Sequence, residues 1–338
     1  MERKPVIGIT IGDLNGVGPE VVIKALQDPR LLSYFTPVIY GATRVLNYYK
    51  KHFELNDFNY TQVKDDQFQP KKVNVVNCWE DHVEINPGQV APAIGIYAFK
   101  SLERAVNDAI KGKIDAMVTA PINKKNIQSE SFHFPGQTEY LTEKSGEADS
   151  IMILVSENLR VGLVTTHVAL KEVAGMITAE RLKSKIRLFL NSLKKDFSVL
   201  KPRLGVLSLN PHAGDEGLFG NEEKEVLQPV IEEFKNQGNL VYGPYPSDGF
   251  FGSEQYRNFD GILAMYHDQG LTPFKTISFD TGVNFTAGLK FIRTAPDHGT
   301  AYNIAGKNIA SELSIREAMF LAKEIIFHRN PQLEEKTA

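Results

Sequence analysis

With 338 residues, 42% of them hydrophobic and 23% charged, the chain is long enough to bury a sizeable core and to divide into two lobes of ordinary globular composition. A formal charge of -3 and a pI near 6.3, with no stripe of Lys or Arg, leave no footprint for a nucleic-acid backbone. A single cysteine, Cys78, excludes an intrachain disulfide, no apolar run approaches a membrane span, and the first residues enter a strand rather than a signal-peptide core, so a cytoplasmic protein is expected.

Taken in order, the apolar run 6–11 predicts a buried first strand. The segment Gly12-Asp-Leu-Asn-Gly-Val-Gly-Pro-Glu20 then suits a tight turn entering a helix, with Pro19 and Glu20 in its first turn. Its spacing, G-x-x-x-G-x-G, matches neither the dinucleotide fingerprint nor a P-loop. A plain glycine turn with Asp13 as a local hydrogen-bonding residue explains it as well as a ligand site does. Strands are predicted at 37–40 and 73–77, and a helix at 94–109, where apolar residues keep helical spacing until Gly112. The run 114–124 is apolar and then breaks into Asn123, Lys124 and Lys125, a strand end open to a substrate contact. After it, Phe134-Pro-Gly-Gln-Thr-Glu-Tyr-Leu141 admits two readings: Gly136, Gln137 and Thr138 approach a ligand, or Thr138 caps a helix.

Three later runs share one pattern. Residues 160–167, 203–212 and 261–267 are short β-rich stretches that each stop at a histidine: His167, His212 and His267. Amphipathic helices at 179–193 and 222–234 separate them, as strand-helix alternation in a parallel sheet requires. In open α/β sheets ligands sit beyond the carboxyl ends of strands, so three imidazoles are placed to converge at one sheet edge. They lack a spacing motif such as H-E-x-x-H, and a metal site and three locally satisfied histidines both stand on the residues alone. In 279–307, Asn284 and Arg293 bring an amide and a fixed cation suited to carboxylate or phosphate, and Asp297-His-Gly-Thr-Ala301 adds a polar turn. A last amphipathic helix spans 314–327.

Together the glycine segment 12–20, Thr119-Ala-Pro-Ile-Asn-Lys124, Thr165-Thr-His-Val-Ala-Leu170, Asn210-Pro-His-Ala-Gly214, Tyr266-His-Asp-Gln-Gly-Leu-Thr-Pro-Phe-Lys275 and Arg293-Thr-Ala-Pro-Asp-His-Gly-Thr-Ala301 resemble the PdxA family of 4-hydroxythreonine-4-phosphate dehydrogenases over nearly the whole chain. The resemblance implies a two-lobed α/β/α enzyme of the isocitrate/isopropylmalate dehydrogenase type, without a classical Rossmann motif. The expected lobes are 1–130 with 280–338, and 131–279, with the active site in the cleft between them at a homodimer interface. Such an enzyme uses NAD or NADP to oxidise 4-phosphooxy-L-threonine at C3, and the resulting β-keto acid decarboxylates, a step of pyridoxine phosphate synthesis that invites coupling to the next enzyme.

Carried over by motif, His167, His212 and His267 correspond to ligands of one divalent metal, Zn, Mg, Co or Mn, drawn from both subunits. Gln137, Thr138, Lys275, Asn284 and Arg293 correspond to substrate contacts, and Asp297, His298, Gly299, Thr300 and Asn303 are assigned to the cofactor. Asp248, Asp268 and Lys124 are the candidates for accepting the alcohol proton. Three positions depart from the family pattern: Gln137 replaces histidine, Leu14 replaces proline, and Gly249 replaces a common threonine. Glutamine keeps hydrogen-bonding atoms but cannot become cationic. This leaves as alternatives a paralogue acting on threonate or erythronate 4-phosphate and, from another class, a three-histidine zinc hydrolase.

Overall fold

The computed structural model of the chain describes residues 4–64, 67–157 and 159–334. The chain divides into two compact units, Met1–Ala148 with Leu289–Ala338, and Asp149–Gly288. It enters the first with β1 (Val6–Thr10), α1 (Gly18–Leu26), β2 (Thr36–Gly41), α2 (Thr43–His52), β3 (Thr61–Val63), β4 (Asn74–Asn77), α3 (Gly95–Ile110), β5 (Ala116–Thr119) and α4 (Gln137–Ser145). The second follows with β6 (Ile151–Ser156), β7 (Leu159–Leu163), α5 (Leu170–Met176), α6 (Ala179–Lys195), β8 (Arg203–Leu207), α7 (Gln228–Asn236), β9 (Leu240–Tyr245), α8 (Ser247–Gly252), β10 (Gly261–Ala264), α9 (His267–Ile277) and β11 (Val283–Ala287). The chain then returns to the first unit with β12 (Ile292–Pro296) and α10 (Leu313–Arg329).

In the first unit the strands lie in the order β3-β4-β2-β1-β5-β12, every neighbouring pair parallel. Parallel strands are covered on both faces, which is why Val6–Thr10 is buried at every position rather than at alternate ones. On one face α3 lays Ala98, Phe99, Leu102 and Val106 against Val6, Val38, Tyr40 and Met117. Burial of side chains such as Phe99 and Leu102 contributes roughly 1.5–3 kcal/mol each. On the other, the Thr294 hydroxyl of β12 donates to the Ala318 carbonyl of α10 at 2.8 Å.

The second unit is mixed. Its order is β11-β6-β7-β10-β8-β9, antiparallel from β11 through β7 and parallel from β7 to β9. The Phe189 ring of α6 fits over β7 and β10 because Gly162 and Gly261 stand there; a Cβ at either would come within 2.8 or 2.7 Å of it. Leu271 and Phe274 of α9 join a second cluster with Val161, Leu163 and Ile262. Among the described residues no helix is long and apolar enough to cross a membrane.

The unit boundaries differ from those read in the sequence, which were 130/131 and 279/280, and packing gives the reason. Tyr140 and Leu141 of α4 belong to the first unit's core with Phe99 and Phe132, and β11 pairs antiparallel with β6 inside the second. Two local expectations also change. Helix α4 begins at Gln137 with Gly136 as its N-cap, so Thr138 lies inside it rather than capping it. The predicted helix 222–234 opens as a π-helical turn, Glu223–Leu227, before α7.

Candidate functional site

At the carboxyl ends of the first unit's strands, the turn after β1 is pinned by one side chain. Asp13 is fully buried, and its Oδ1 accepts from the N–H groups of Asn15 and Gly16 at 3.0 and 3.1 Å. Its Oδ2 accepts from Asn126 Nδ2 at 2.8 Å and the Tyr302 hydroxyl at 2.9 Å. Gly12 makes the turn possible, at φ 72° with the Pro121 carbonyl 2.4 Å from where a Cβ would sit. Burial, reinforced by Asp13 against the help of Asn123, pushes the Tyr302 phenol up to about 12, so it stays neutral and donates. The carboxylate thus ties together the glycine turn, the loop carrying Asn123 and Lys124, and the turn of cofactor candidates. Val17 N–H donates to Thr300 O at 2.9 Å, and Asp297 N–H to Ser314 Oγ at 3.0 Å, while His298 Nδ1 lies 3.0 Å from Gly299 O and Asn303 is exposed.

The end of β5 gathers two of the expected substrate contacts. Arg293 is 3% exposed, and its Nε and Nη2 both donate to Thr119 Oγ1, at 3.0 and 2.7 Å. Burial pushes this guanidinium down to about 10, which still leaves it cationic at neutral pH. One residue further along, the Ala120 carbonyl accepts from Gln137 Nε2 at 3.1 Å. That bond fixes the amide so that Oε1 is the remaining acceptor, and Oε1 is buried with no partner among the described residues. Thr138 presents its carbonyl to the Thr142 hydroxyl within α4, and Lys124 is exposed. Thr119 was not singled out in the sequence; its signal is a hydroxyl on a strand end, two residues from Met117 and on the same face.

In the second unit, His167 follows β7 and His267 opens α9 directly after β10. Their ring centroids are 5.7 Å apart. Two imidazoles on one tetrahedral cation, each with a metal–nitrogen bond of about 2.1 Å, bring their centroids to roughly that separation, so the pair fits two positions of a metal site. His267 Nδ1–H donates to Asp268 Oδ1 at 2.6 Å, which fixes the tautomer and leaves Nε2 as the free lone pair. Gln269, also missed in the sequence, braces the region: its Oε1 accepts from Met265 N–H at 2.6 Å, and its Nε2 donates to Ser208 O at 2.6 Å and Ser247 Oγ at 2.7 Å. Ser247 stands next to Asp248, which is exposed. On α9 Lys275 is half-buried, and on β11 Asn284 donates to Met152 Sδ at 3.4 Å while its buried Oδ1 has no partner among the described residues.

His212 does not join the other two histidines. Among the described residues no group of three His, Cys, Asp or Glu side chains is placed to hold a metal, so within this chain two of the three imidazoles come together. His212 sits on an irregular loop. Residues 212–217 all have positive φ, from 42° to 100°, a left-handed turn that costs roughly 1–2 kcal/mol per non-glycine residue. Exposed apolar side chains flank these histidines, with Leu170 and Leu218 each 73% and Phe219 48% accessible. A cavity of about 510 Å³ in this unit lies instead by the amino ends of the strands, where Arg203 pairs with Asp260, and it takes no part in the histidine pair.

Comparison with known proteins agrees over the whole chain. Residues 33–322 match the family described as pyridoxal phosphate biosynthetic protein PdxA. A curated 4-hydroxythreonine-4-phosphate dehydrogenase from Bacteroides thetaiotaomicron is 48% identical, covering 99% of this chain and 92% of the relative. A relative from Oceanobacillus iheyensis, named "Putative D-threonate 4-phosphate dehydrogenase", is 40% identical over 96% of this chain and 99% of its own length. The crystal structure of 4-hydroxythreonine-4-phosphate dehydrogenase from Klebsiella pneumoniae superposes with a TM-score of 0.81 at 33% identity, covering 96% of this chain and all of that one.

Proposed function

The chain belongs to the PdxA family of pyridoxal phosphate biosynthetic proteins and is a dehydrogenase, and from that premise we propose that it oxidises 4-phosphooxy-L-threonine at C3 with NAD or NADP. The observation that carries this reading is the 48% identity, across 99% of the chain, to the Bacteroides enzyme of that name. Oxidation moves hydride from C3 to the nicotinamide and gives 2-amino-3-oxo-4-phosphooxybutanoate, a β-keto acid that loses carbon dioxide to 3-amino-2-oxopropyl phosphate. Dehydrogenase membership replaces the hydrolase alternative.

The residues divide the work. Arg293, cationic and held flat by Thr119, binds an anionic group of the substrate, with Lys275 and Asn284 as further contacts. Gln137 offers Oε1 to a hydroxyl or ammonium donor, and Thr138 stands beside it. His167 and the Nε2 of His267 would hold a divalent cation, Zn, Mg, Co or Mn, which when bound would supply Lewis-acid chemistry toward the substrate's oxygen atoms. Asp268 orients the His267 ring, and Asp248 and Lys124 are left as acceptors of the alcohol proton. The turn of Asp297, His298, Gly299, Thr300 and Asn303, clamped through Tyr302 and Asp13, receives the nicotinamide nucleotide. The exposed Leu170, Leu218 and Phe219 support a homodimer in which a second copy supplies His212.

The Oceanobacillus relative and Gln137 favour a second reading, oxidation of D-threonate 4-phosphate. Both are tested by offering phosphohydroxythreonine, D-threonate 4-phosphate and erythronate 4-phosphate with each nicotinamide nucleotide and following reduced nicotinamide. The highest kcat/KM is expected for phosphohydroxythreonine. A preference for either sugar-acid phosphate moves the assignment to the paralogue, and no reduction with any of them removes both.

A further inference from the structure

The left-handed turn that carries His212 needs something to hold it, and a buried carboxylate lies beneath it. Glu223 is 1% exposed and opens the π-helical turn Glu223–Leu227, a local departure from α-helix of the kind that gathers at functional sites. Its Oε1 accepts from the N–H groups of Leu209 and Asn210, both at 2.8 Å, and its Oε2 from Asn210 Nδ2 at 2.9 Å. Asn210 Nδ2 also donates to Glu222 Oε2 at 2.7 Å. The turn passes directly over this group: a Cβ on Gly214 would lie 2.8 Å from Glu223 Oε2 and 2.9 Å from Gly220 O. At its far end Phe219 N–H closes onto Gly214 O at 3.0 Å, and Lys224 reaches back to the Glu216 carbonyl and carboxylate.

We infer that Glu223 is a positioning residue for His212, holding the root of its loop through Leu209 and Asn210 so that the strained turn presents the imidazole in one place. The role needs a carboxylate. Three donors converge on it, and only a carboxylate offers acceptors to all of them; a glutamine would keep the two backbone bonds but turn an N–H₂ toward Asn210 Nδ2. A purely space-filling residue would need no hydrogen-bonding carboxyl in a position only 1% exposed. The inference rests on the proposed role of His212 as a metal ligand.

The test compares Glu223→Gln, Glu223→Ala and His212→Ala in the full-length protein, stripped with chelator and titrated with zinc, alongside hydrogen exchange of residues 209–219. Glu223→Gln is expected to weaken zinc binding by about 10–100-fold, the usual range for losing a group that orients a ligand, with faster exchange confined to 209–219. Glu223→Ala is expected to lose more, and KM for the nicotinamide nucleotide should hold in both. Should the alanine variant fail to fold, the glutamine variant decides alone. If His212→Ala weakens zinc binding while Glu223→Gln binds as the parent does, the positioning role is overturned and the metal reading survives. If His212→Ala also binds zinc as the parent does, the metal assignment of His212 itself has failed and this inference falls with it.

Discussion

Both units place site residues at the carboxyl ends of parallel strands, Asp13 just past β1 and Arg293 reaching Thr119 at the end of β5 from within β12, and the histidines past β7, β8 and β10, yet they leave them in opposite states. In the first, Asp13 and Arg293 are buried and engaged by neighbours of their own chain. In the second, His167, His212, Asp248 and Asp268 are exposed, and His267 has one ring nitrogen fixed and the other left over. A carboxylate that already satisfies four donors is finished by folding. His267, with Nδ1 fixed by Asp268 and Nε2 left over, is finished only by something that arrives later. Substitutions at the buried, engaged residues Asp13 and Arg293 should therefore lower stability and activity together, and those at the exposed histidines should lower activity alone.

The sharpest way to break that contrast is Asp13→Ala. It leaves the Asn15 and Gly16 amides without their acceptor in a buried place, and Asn126 Nδ2 and the Tyr302 hydroxyl without theirs in a part-buried one. At about 1–3 kcal/mol for each donor left unsatisfied, a loss of at least about 3 kcal/mol is expected after partial relaxation, read as a lower urea midpoint and accompanied by loss of turnover. An unchanged midpoint would show that the hub is ornamental.

The second unit should behave in the reverse way. Chelator treatment and His267→Ala are each expected to remove most activity while the melting temperature stays within about 2 °C, since a surface substitution changes stability by only about 0.5 kcal/mol. Asp268→Ala, which removes the acceptor that orients His267, should weaken metal binding by about 10–100-fold. Full turnover in metal-free protein would refute the proposed metal role, and a large drop in melting temperature would erase the difference between the units.

How far the sequence could be read follows the same division. Strands β1, β2, β5, β8 and β10 were visible because buried parallel strands are continuous apolar runs, and each histidine was visible because it ends one. The Asp13 hub was not visible, since Asn126 and Tyr302 lie 113 and 289 residues away and nothing local points to them. The left-handed turn was equally hidden: of residues 212–217 only Gly214 and Gly217 advertise positive φ, and His212, Ala213, Asp215 and Glu216 do not. Helix α4 was assigned to the wrong unit because its membership is decided by Tyr140 and Leu141 against Phe99 and Phe132, a packing fact without a sequence period.

Gln137 offers a finer test on the first unit's side. Its Nε2 bond to Ala120 O is one a histidine N–H can replace, so Gln137→His should fold normally. The new imidazole gains charge as pH falls through about 6.5, and a cation there strengthens binding of an anionic substrate. The ratio of KM for phosphohydroxythreonine in the variant to that in the parent is therefore expected to fall by a factor of roughly 2–5 between about pH 7.5 and pH 6, a comparison that cancels the titration of the substrate phosphate. A change of preferred substrate instead would mark position 137 as a specificity determinant.

The smallest effect expected comes from a carboxylate in the second unit that is engaged like Asp13 but not sealed from water. Asp149 Oδ1 accepts from Lys185 Nζ at 2.6 Å and from Ser150 N–H at 2.8 Å, and its Oδ2 from the Ser184 hydroxyl at 2.6 Å, with the side chain 39% exposed. Partial burial pushes its carboxyl up, but the Lys185 and Ser184 bonds outweigh that and hold it below the ordinary value of 3.8. A carboxyl whose folded value is depressed stabilises the fold fully above its unfolded value, and that contribution disappears as pH falls through the lower folded value. Asp149→Asn should therefore cost a constant amount of stability at neutral pH, and the gap to the parent should narrow only below about pH 4. Solvent screens the pair, so the gap should stay under about 1 kcal/mol and shrink with added salt. A gap as large as that for Asp13→Ala, or one unmoved by acid, would mean that burial is not what separates the two carboxylates.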